Sequence, residues 1–119
     1  MSDLTSVFSA LRAILAPYSK NMLLKKDSDT DYYLDTLHVQ KNKSPLFFGA
    51  VQLKKSFVSF HLMPVYLQPA LLESISPELK KQMQGKSCFN FSGVDEAIFE
   101  ELAALTRRGH ESYRAQGFV

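Results

Sequence analysis

The sequence predicts an α+β domain with a single antiparallel sheet of about five strands and with its N-terminal and C-terminal helices on one face. Apolar residues recur at helical spacing near both ends of the chain, whereas the middle of the chain alternates with a period of two. Short polar turns separate the alternating segments, which favours hairpins between successive strands. The expected order of elements is therefore α-β-β-β-β-α-α-β-α.

One apolar stripe over about four turns predicts the N-terminal helix. Ser2 can cap its start, and Pro17 marks its end. Because Arg12 is the only charged residue between Leu4 and Pro17, this helix is expected to lie in the core. The stripe consists of Leu4, Val7, Phe8, Leu11, Ile14, Leu15 and Tyr18.

Four strands are predicted in the segments 22–26, 32–39, 46–54 and 57–63, which are rich in β-branched and aromatic residues. The polar connections between them are short enough for hairpins, so the strands are expected to run antiparallel as a meander. In the second strand both faces carry apolar side chains. The sequence therefore leaves open which face is inward.

Two short helices are expected after the meander. Pro69 suits the first turn of a helix that runs through Ile75. Ser76 is the expected cap of the next helix, with Pro77 at its first position and Gly85 as its stop. These signals predict that the second helix covers residues 77–84.

A strand over residues 88–91 and a long final helix complete the chain. The strand is expected to place Phe89 and Phe91 on one side. Ser92 and Asp95 form a variant capping box for the helix, and Gly117 is its expected stop. The apolar stripe of this helix is predicted to pack on the sheet, through Ile98, Leu102, Leu105, Gly109 and Ser112 or Tyr113.

Length and composition favour one domain that spans residues 1–119. The 14 basic and 12 acidic residues leave a net charge of +2, too small to predict nucleic acid or an anionic membrane as a partner. The single cysteine, Cys88, excludes an internal disulfide and favours a reducing compartment. We therefore expect a cytoplasmic protein, and no apolar run approaches the roughly 20 residues of a membrane span.

The segment Gly85-Lys86-Ser87-Cys88 suggests two kinds of site, and neither is favoured. A phosphate-binding loop needs Gly five positions before its final Gly, where this chain has Lys80. A nucleophilic Cys88 needs a partner that lowers its pKa, and His38, His61 and His110 are all distant in sequence. Cys88 is therefore interpreted as a small filler of a strand, and an enzyme is the least supported function.

Two acidic clusters are candidate metal ligands. Asp27, Asp29 and Asp31 begin like a calcium-binding loop, but Tyr32 stands where that loop needs Gly. Glu96 and Glu100 lie one helical turn apart, a spacing that can hold a hard cation. Solvated acids at a hairpin turn and near a helix N-terminus are the simpler interpretation of both clusters.

The second half of the chain resembles the YdhG-like family of small bacterial domains of unknown function. An aromatic strand ending near Phe60 and a short helical bridge precede the triplet Gly85-Lys86-Ser87, an aromatic strand and a final helix. The resemblance implies a sheet flanked by terminal helices, similar to frataxin, and some relatives carry an iron-chaperone label. Iron is the cofactor that this alternative implies, with the two acidic clusters as the available ligands.

The leading hypothesis is a non-enzymatic bacterial domain that binds a small ligand or a protein partner without a cofactor. Its surface is expected on a sheet face where aromatic and polar groups coexist, formed by Tyr32, Tyr33, His61, Met63 and Tyr66. Such a face equally suits a homodimer. The alternative hypothesis is a frataxin-like iron chaperone.

Overall fold

A five-stranded antiparallel sheet lies between the N-terminal and C-terminal helices in a computed structural model that describes residues 4–119. This confirms the predicted α+β class and its order of elements. The helices are α1 (Leu4–Leu15), α2 (Met63–Leu67), α3 (Pro77–Lys80) and α4 (Glu96–Ala115). The strands are β1 (Leu23–Asp27), β2 (Asp31–Val39), β3 (Pro45–Leu53), β4 (Val58–Leu62) and β5 (Cys88–Phe91). Two 3-10 helices cover Ala16–Asn21 and Pro69–Leu72. The second begins at Pro69 as predicted but ends at Leu72, so the expected helix through Ile75 is shorter than predicted.

The strands lie in the sheet in chain order, from β1 at one edge to β5 at the other. Every neighbouring pair is antiparallel, which confirms the predicted meander of the first four strands. The connection from β4 to β5 contains α2 and α3. It returns the chain to the sheet edge beside β4, so that His61 pairs with Cys88.

The structure decides which face of β2 is inward. Tyr32 and Leu34 are buried in the main hydrophobic cluster, whereas Leu37 on the opposite face is 67% exposed. The inward side chains of the other strands alternate in the same way, and they include Val51, Phe60 and Phe89. We call this side the inner face of the sheet.

The helices bury their apolar side chains in the same cluster as the inner face. From α1 come Val7, Phe8, Leu11 and Leu15, and from α4 come Phe99, Leu102, Leu105 and Tyr113. Val65 of α2 and Leu79 of α3 join them. Within residues 4–119 the helices thus cover one face of the sheet and leave the other face, the outer face, without a helix. None of these helices is long and apolar enough to cross a membrane.

The predicted cap of α1, Ser2, lies outside the described residues. The α-helix ends at Leu15, and the 3-10 helix that contains Pro17 and Tyr18 follows it directly. Tyr18 therefore does not belong to the apolar stripe of α1. Its ring lies beside Phe48, with ring centroids 5.6 Å apart.

Of the two predicted ends of the helix at Pro77, the structure confirms the first and corrects the second. Its cap is confirmed, because the Ser76 hydroxyl accepts a hydrogen bond from the Leu79 amide. The α-helix nevertheless ends at Lys80, so the predicted stop at Gly85 is wrong. Gly85 has φ +82° in the turn that brings Met83 beside Phe89, a conformation that glycine adopts without strain. Pairing with β5 therefore replaces the last helical turn.

The capping of α4 corrects one expectation and confirms another. The N-cap is Asp95, whose carboxylate accepts from the Ile98 amide, and Ser92 plays no part in this cap. At the other end Gly117 has φ +83°, and the Phe118 amide donates to the Tyr113 carbonyl. This is a Schellman motif, completed by contact between the Phe118 and Tyr113 rings, so the predicted stop is confirmed.

Candidate functional site

The outer face of the sheet brings polar and aromatic side chains together in rows across the strands. One row runs from Tyr33 on β2 through Ala50 and His61 to Cys88 on β5. Ala50 is buried although it lies outside the main hydrophobic cluster, because Tyr33 and His61 flank it in this row. The next row contains Gln52, Ser59 and Asn90.

A polar cluster joins the two rows at the β4–β5 end of the face. The Cys88 Sγ lies 3.9 Å from His61 Nε2 and donates to Asn90 Oδ1 at 3.5 Å. The Ser59 hydroxyl donates to the same Asn90 oxygen at 3.0 Å. These four side chains, His61, Ser59, Cys88 and Asn90, are defined as the His–Cys cluster.

The electrostatics of the His–Cys cluster favour its neutral forms. Burial raises the pKa of the Cys88 thiol, and this effect outweighs the opposing influence of Ser59 and Lys54. Burial also lowers the pKa of His61, and the positive charge of Lys54 lowers it further. A nucleophilic pair needs a thiolate beside an imidazolium. That pair would require a lowered pKa for the cysteine and a raised pKa for the histidine, the opposite of both shifts. The cluster is therefore suited to donate and accept hydrogen bonds.

An aromatic pair and several exposed apolar residues lie at the β1–β3 side of the outer face. The rings of Tyr33 and Phe47 lie with their centroids 4.8 Å apart. Beside them, Lys25 Nζ lies 3.5 Å from the buried carboxylate of Asp35. The exposed apolar side chains nearby are Leu23 at 41%, Leu37 at 67% and Val39 at 59% exposure.

The residues predicted to bind a ligand do not all lie on one face. Tyr33 and His61 share the outer face, whereas Tyr32 points inward, where the Arg12 guanidinium lies 4.6 Å from its ring centre. Met63 and Tyr66 belong to α2, and Tyr66 lines a separate groove with Lys86. The strand alternation separates Tyr32 from Tyr33, because consecutive side chains point to opposite faces.

Sequence reasoning missed the other members of the His–Cys cluster. Cys88 was interpreted as a filler without a partner, but it lies opposite His61, which is 27 residues away in the chain. Ser59 and Asn90 have no motif spacing that marks them. Only the register between β4 and β5 shows that these residues are neighbours. The connection between the two strands is too long for local sequence to define that register.

The acidic residues proposed as metal ligands are exposed or have other partners. Asp27 forms an ion pair with Arg12 at 2.9 Å, and Asp31 accepts from the Thr30 hydroxyl at 3.2 Å. Among residues 4–119, no three side chains of His, Cys, Asp or Glu come together as a metal site. Asp29, Glu96 and Glu100 are exposed. The iron alternative stays an untested prediction.

The acidic segment at the start of α4 has structural contacts. Asp95 is the N-cap, and the Glu101 carboxylate accepts from both the amide and the hydroxyl of Ser76. Glu101 thereby joins α4 to the start of α3. Two of the four acids in the segment 95–101, Asp95 and Glu101, thus have structural partners.

Comparison with protein-family models, with curated proteins and with solved structures finds no match to this chain. The resemblance to the YdhG-like family therefore stays a prediction, as does its frataxin-like implication.

Proposed function

We propose that this chain is a non-enzymatic binding domain whose outer sheet face docks a protein partner in the cytoplasm. The observation that carries the proposal is the outer face itself, which has no helix over it within residues 4–119 and combines an aromatic pair with exposed Leu37 and Val39. Exposed apolar side chains that adjoin one another on a polar background are typical of an interaction surface. The single free cysteine supports a reducing compartment.

The arrangement of polar groups supports binding to a protein. Interfaces combine apolar and aromatic anchors with hydrogen-bonding groups around them. On the outer face, Tyr33 and Phe47 provide the aromatic surface, and the His–Cys cluster provides neutral donors and acceptors. Neutral groups are less costly to desolvate than charged ones.

The pKa shifts support a binding role over catalysis. At neutral pH, a thiol whose pKa is raised stays protonated and an imidazole whose pKa is lowered stays neutral. A nucleophilic cysteine needs the thiolate instead. The polar neighbour of Cys88 on β5 is the neutral amide of Asn90, which accepts two hydrogen bonds and does not activate the imidazole.

The test compares the proteins captured by the wild type and by two variants, each of which carries two added positive charges at exposed apolar positions. The double variant Leu37→Lys/Val39→Lys places two charges on the outer face. Its matched control, Leu67→Lys/Val94→Lys, makes the same changes at exposed apolar sites elsewhere, at 43% and 49% exposure. Each variant is tagged and used to recover proteins from the cells in which the chain occurs, and circular dichroism checks its fold.

We expect at least one protein to be retained by the wild type and the control but lost by the outer-face variant. Each apolar side chain removed from an interface contributes about 1.5–3 kcal/mol, so losing two predicts a drop in affinity of roughly 100-fold or more. Equal recovery of every protein by all three forms would reject the proposal. Sedimentation of the purified forms shows whether the partner is a second copy of the chain.

A further inference from the structure

A cleft of about 430 Å³ lies on the helical side of the molecule, away from the outer face. The 3-10 helix Ala16–Asn21 forms one wall, and the last turns of α4 form the other. Its volume falls within the usual range of small-molecule sites, roughly 300–1,000 Å³. The packing of the N-terminal and C-terminal helices against each other creates this cleft.

Two cationic side chains, Lys20 and Arg114, line the cleft. Both are exposed, and the three ion pairs found among residues 4–119 involve Arg12, Lys25 and Arg107. Among residues 4–119, no Asp or Glu side chain lines the cleft. Two positive charges thus face the concave space, while Glu111, the carboxylate that acts on Tyr18 and His110, lies outside the lining and is paired with Arg107, which favours an anion in the cleft.

The floor of the cleft is aromatic and fixed in position. The rings of Tyr18 and His110 lie 4.9 Å apart, and both rest on the buried Phe48, at 5.6 Å and 5.9 Å between centroids. Pro17 and Met22 add apolar surface. A planar ring placed in the cleft can therefore stack on Tyr18 or His110 while its charged substituent reaches the cations.

His110 is a neutral part of this floor at neutral pH. Burial lowers its pKa, and the charge of Arg114 lowers it further, although Glu111 opposes the shift. An anion bound beside Arg114 would offset that charge and raise the pKa of His110. The imidazole is thus a reporter of occupancy as well as a wall.

We propose that the cleft between the 3-10 helix Ala16–Asn21 and α4 binds a small organic anion, an aromatic ring that carries a phosphate or a carboxylate. Lys20 and Arg114 bind the anionic group, and Tyr18 and His110 bind the ring. The guanidinium of Arg114 matches the geometry of both anionic groups, since it can donate two parallel hydrogen bonds.

The test uses three probes of the same ring: phenyl phosphate, benzoate and neutral phenol. Calorimetry measures their affinities, and the NMR signals of the His110 ring report the location. The variant Lys20→Gln/Arg114→Gln removes both cations from the cleft. Its control, Lys80→Gln/Lys81→Gln, removes two exposed cations around the end of α3 and changes the net charge equally.

We expect phenyl phosphate or benzoate to shift the His110 signals and to bind more tightly than phenol. The cleft variant should weaken the charged probes by about tenfold for each cation removed, while the control binds like the wild type. The comparison of phenyl phosphate with benzoate shows which anionic group is preferred. The variant Leu37→Lys/Val39→Lys should bind both charged probes normally, which separates this result from that of the outer face.

Three outcomes would overturn the proposal. The first is that neither charged probe shifts the His110 signals, and the second is that phenol binds as tightly as the charged probes. The third is that the cleft variant and its control weaken binding by the same factor. The last outcome would assign the effect to net charge alone. Because Lys20 and Arg114 are exposed, both variants are expected to fold.

Discussion

Replacing Gly109 by Ala sets helix propensity against packing. Gly109 lies inside α4, where Ala is favoured over Gly by about 1 kcal/mol. A Cβ at this position, however, would lie 2.9 Å from Pro64 Cβ and 3.2 Å from Pro64 Cγ. Pro64 is buried at the start of α2, and its ring is bonded to the backbone, so it cannot rotate away.

Such overpacking costs about 1–3 kcal/mol, and the rigid neighbour places this site near the upper end. After the gain in helix propensity is subtracted, Gly109→Ala is expected to lower the free energy of unfolding by about 1–2 kcal/mol. Urea unfolding followed by circular dichroism measures this change.

The control comes from the same helix. Arg107 is exposed, so the difference between Arg107→Ala and Arg107→Gly measures helix propensity without the contact at Pro64. That pair is expected to favour Ala by about 1 kcal/mol. If Gly109→Ala proved as stable as the wild type or more so, the close contact between α4 and α2 would not limit this position, and the reasoning would be refuted.

Three further predictions concern buried polar groups. Tyr113→Phe removes the 2.7 Å hydrogen bond to the Phe47 carbonyl and should lower the free energy of unfolding by about 1–3 kcal/mol, whereas Tyr66→Phe at an exposed site should not. The pKa values of His61 and His110 are lowered in the folded state, so the unfolded state binds more protons just below pH ~6.5. Stability should therefore fall as the pH drops from about 6.5, and His61→Gln should make urea unfolding less pH-dependent; an unchanged pH profile would contradict this. Because the pKa of the Cys88 thiol is raised, alkylation by iodoacetamide at neutral pH should be slower than that of glutathione, and an equal or faster rate would show an activated thiol.

Local signals predicted much of the fold. The cap at Ser76 and the stop at Gly117 depend on residues within one or two turns, and both were read correctly from the chain. The stop at Gly85 was wrong because the β-bridge between Met83 and Phe89, six residues apart, forms a tight turn around Gly85 and the helix ends before it. A left-handed glycine conformation suits a helix end and a tight turn equally well, so the residue alone does not distinguish them.

The candidate sites depend on contacts that local patterns do not encode. Tyr32 and Tyr33 were both expected on a sheet face that combines aromatic and polar groups, but adjacent residues of a strand lie on opposite faces. His61 and Cys88 were left unpaired because their strands are joined by a long connection. No local pattern relates Lys20 to Arg114, since only helix packing brings them to one cleft.

From the sequence alone follow the α+β class, the order of its elements, the antiparallel meander and the helix ends at Ser76 and Gly117. These properties arise from hydrophobic periodicity and from turn or capping residues, which act over a few positions. The tertiary structure alone decided which sheet face is inward, because both faces of β2 carry apolar groups. It also showed the His–Cys cluster and the cleft lined by Lys20 and Arg114, because each requires a strand register or a packing contact between segments far apart in the chain.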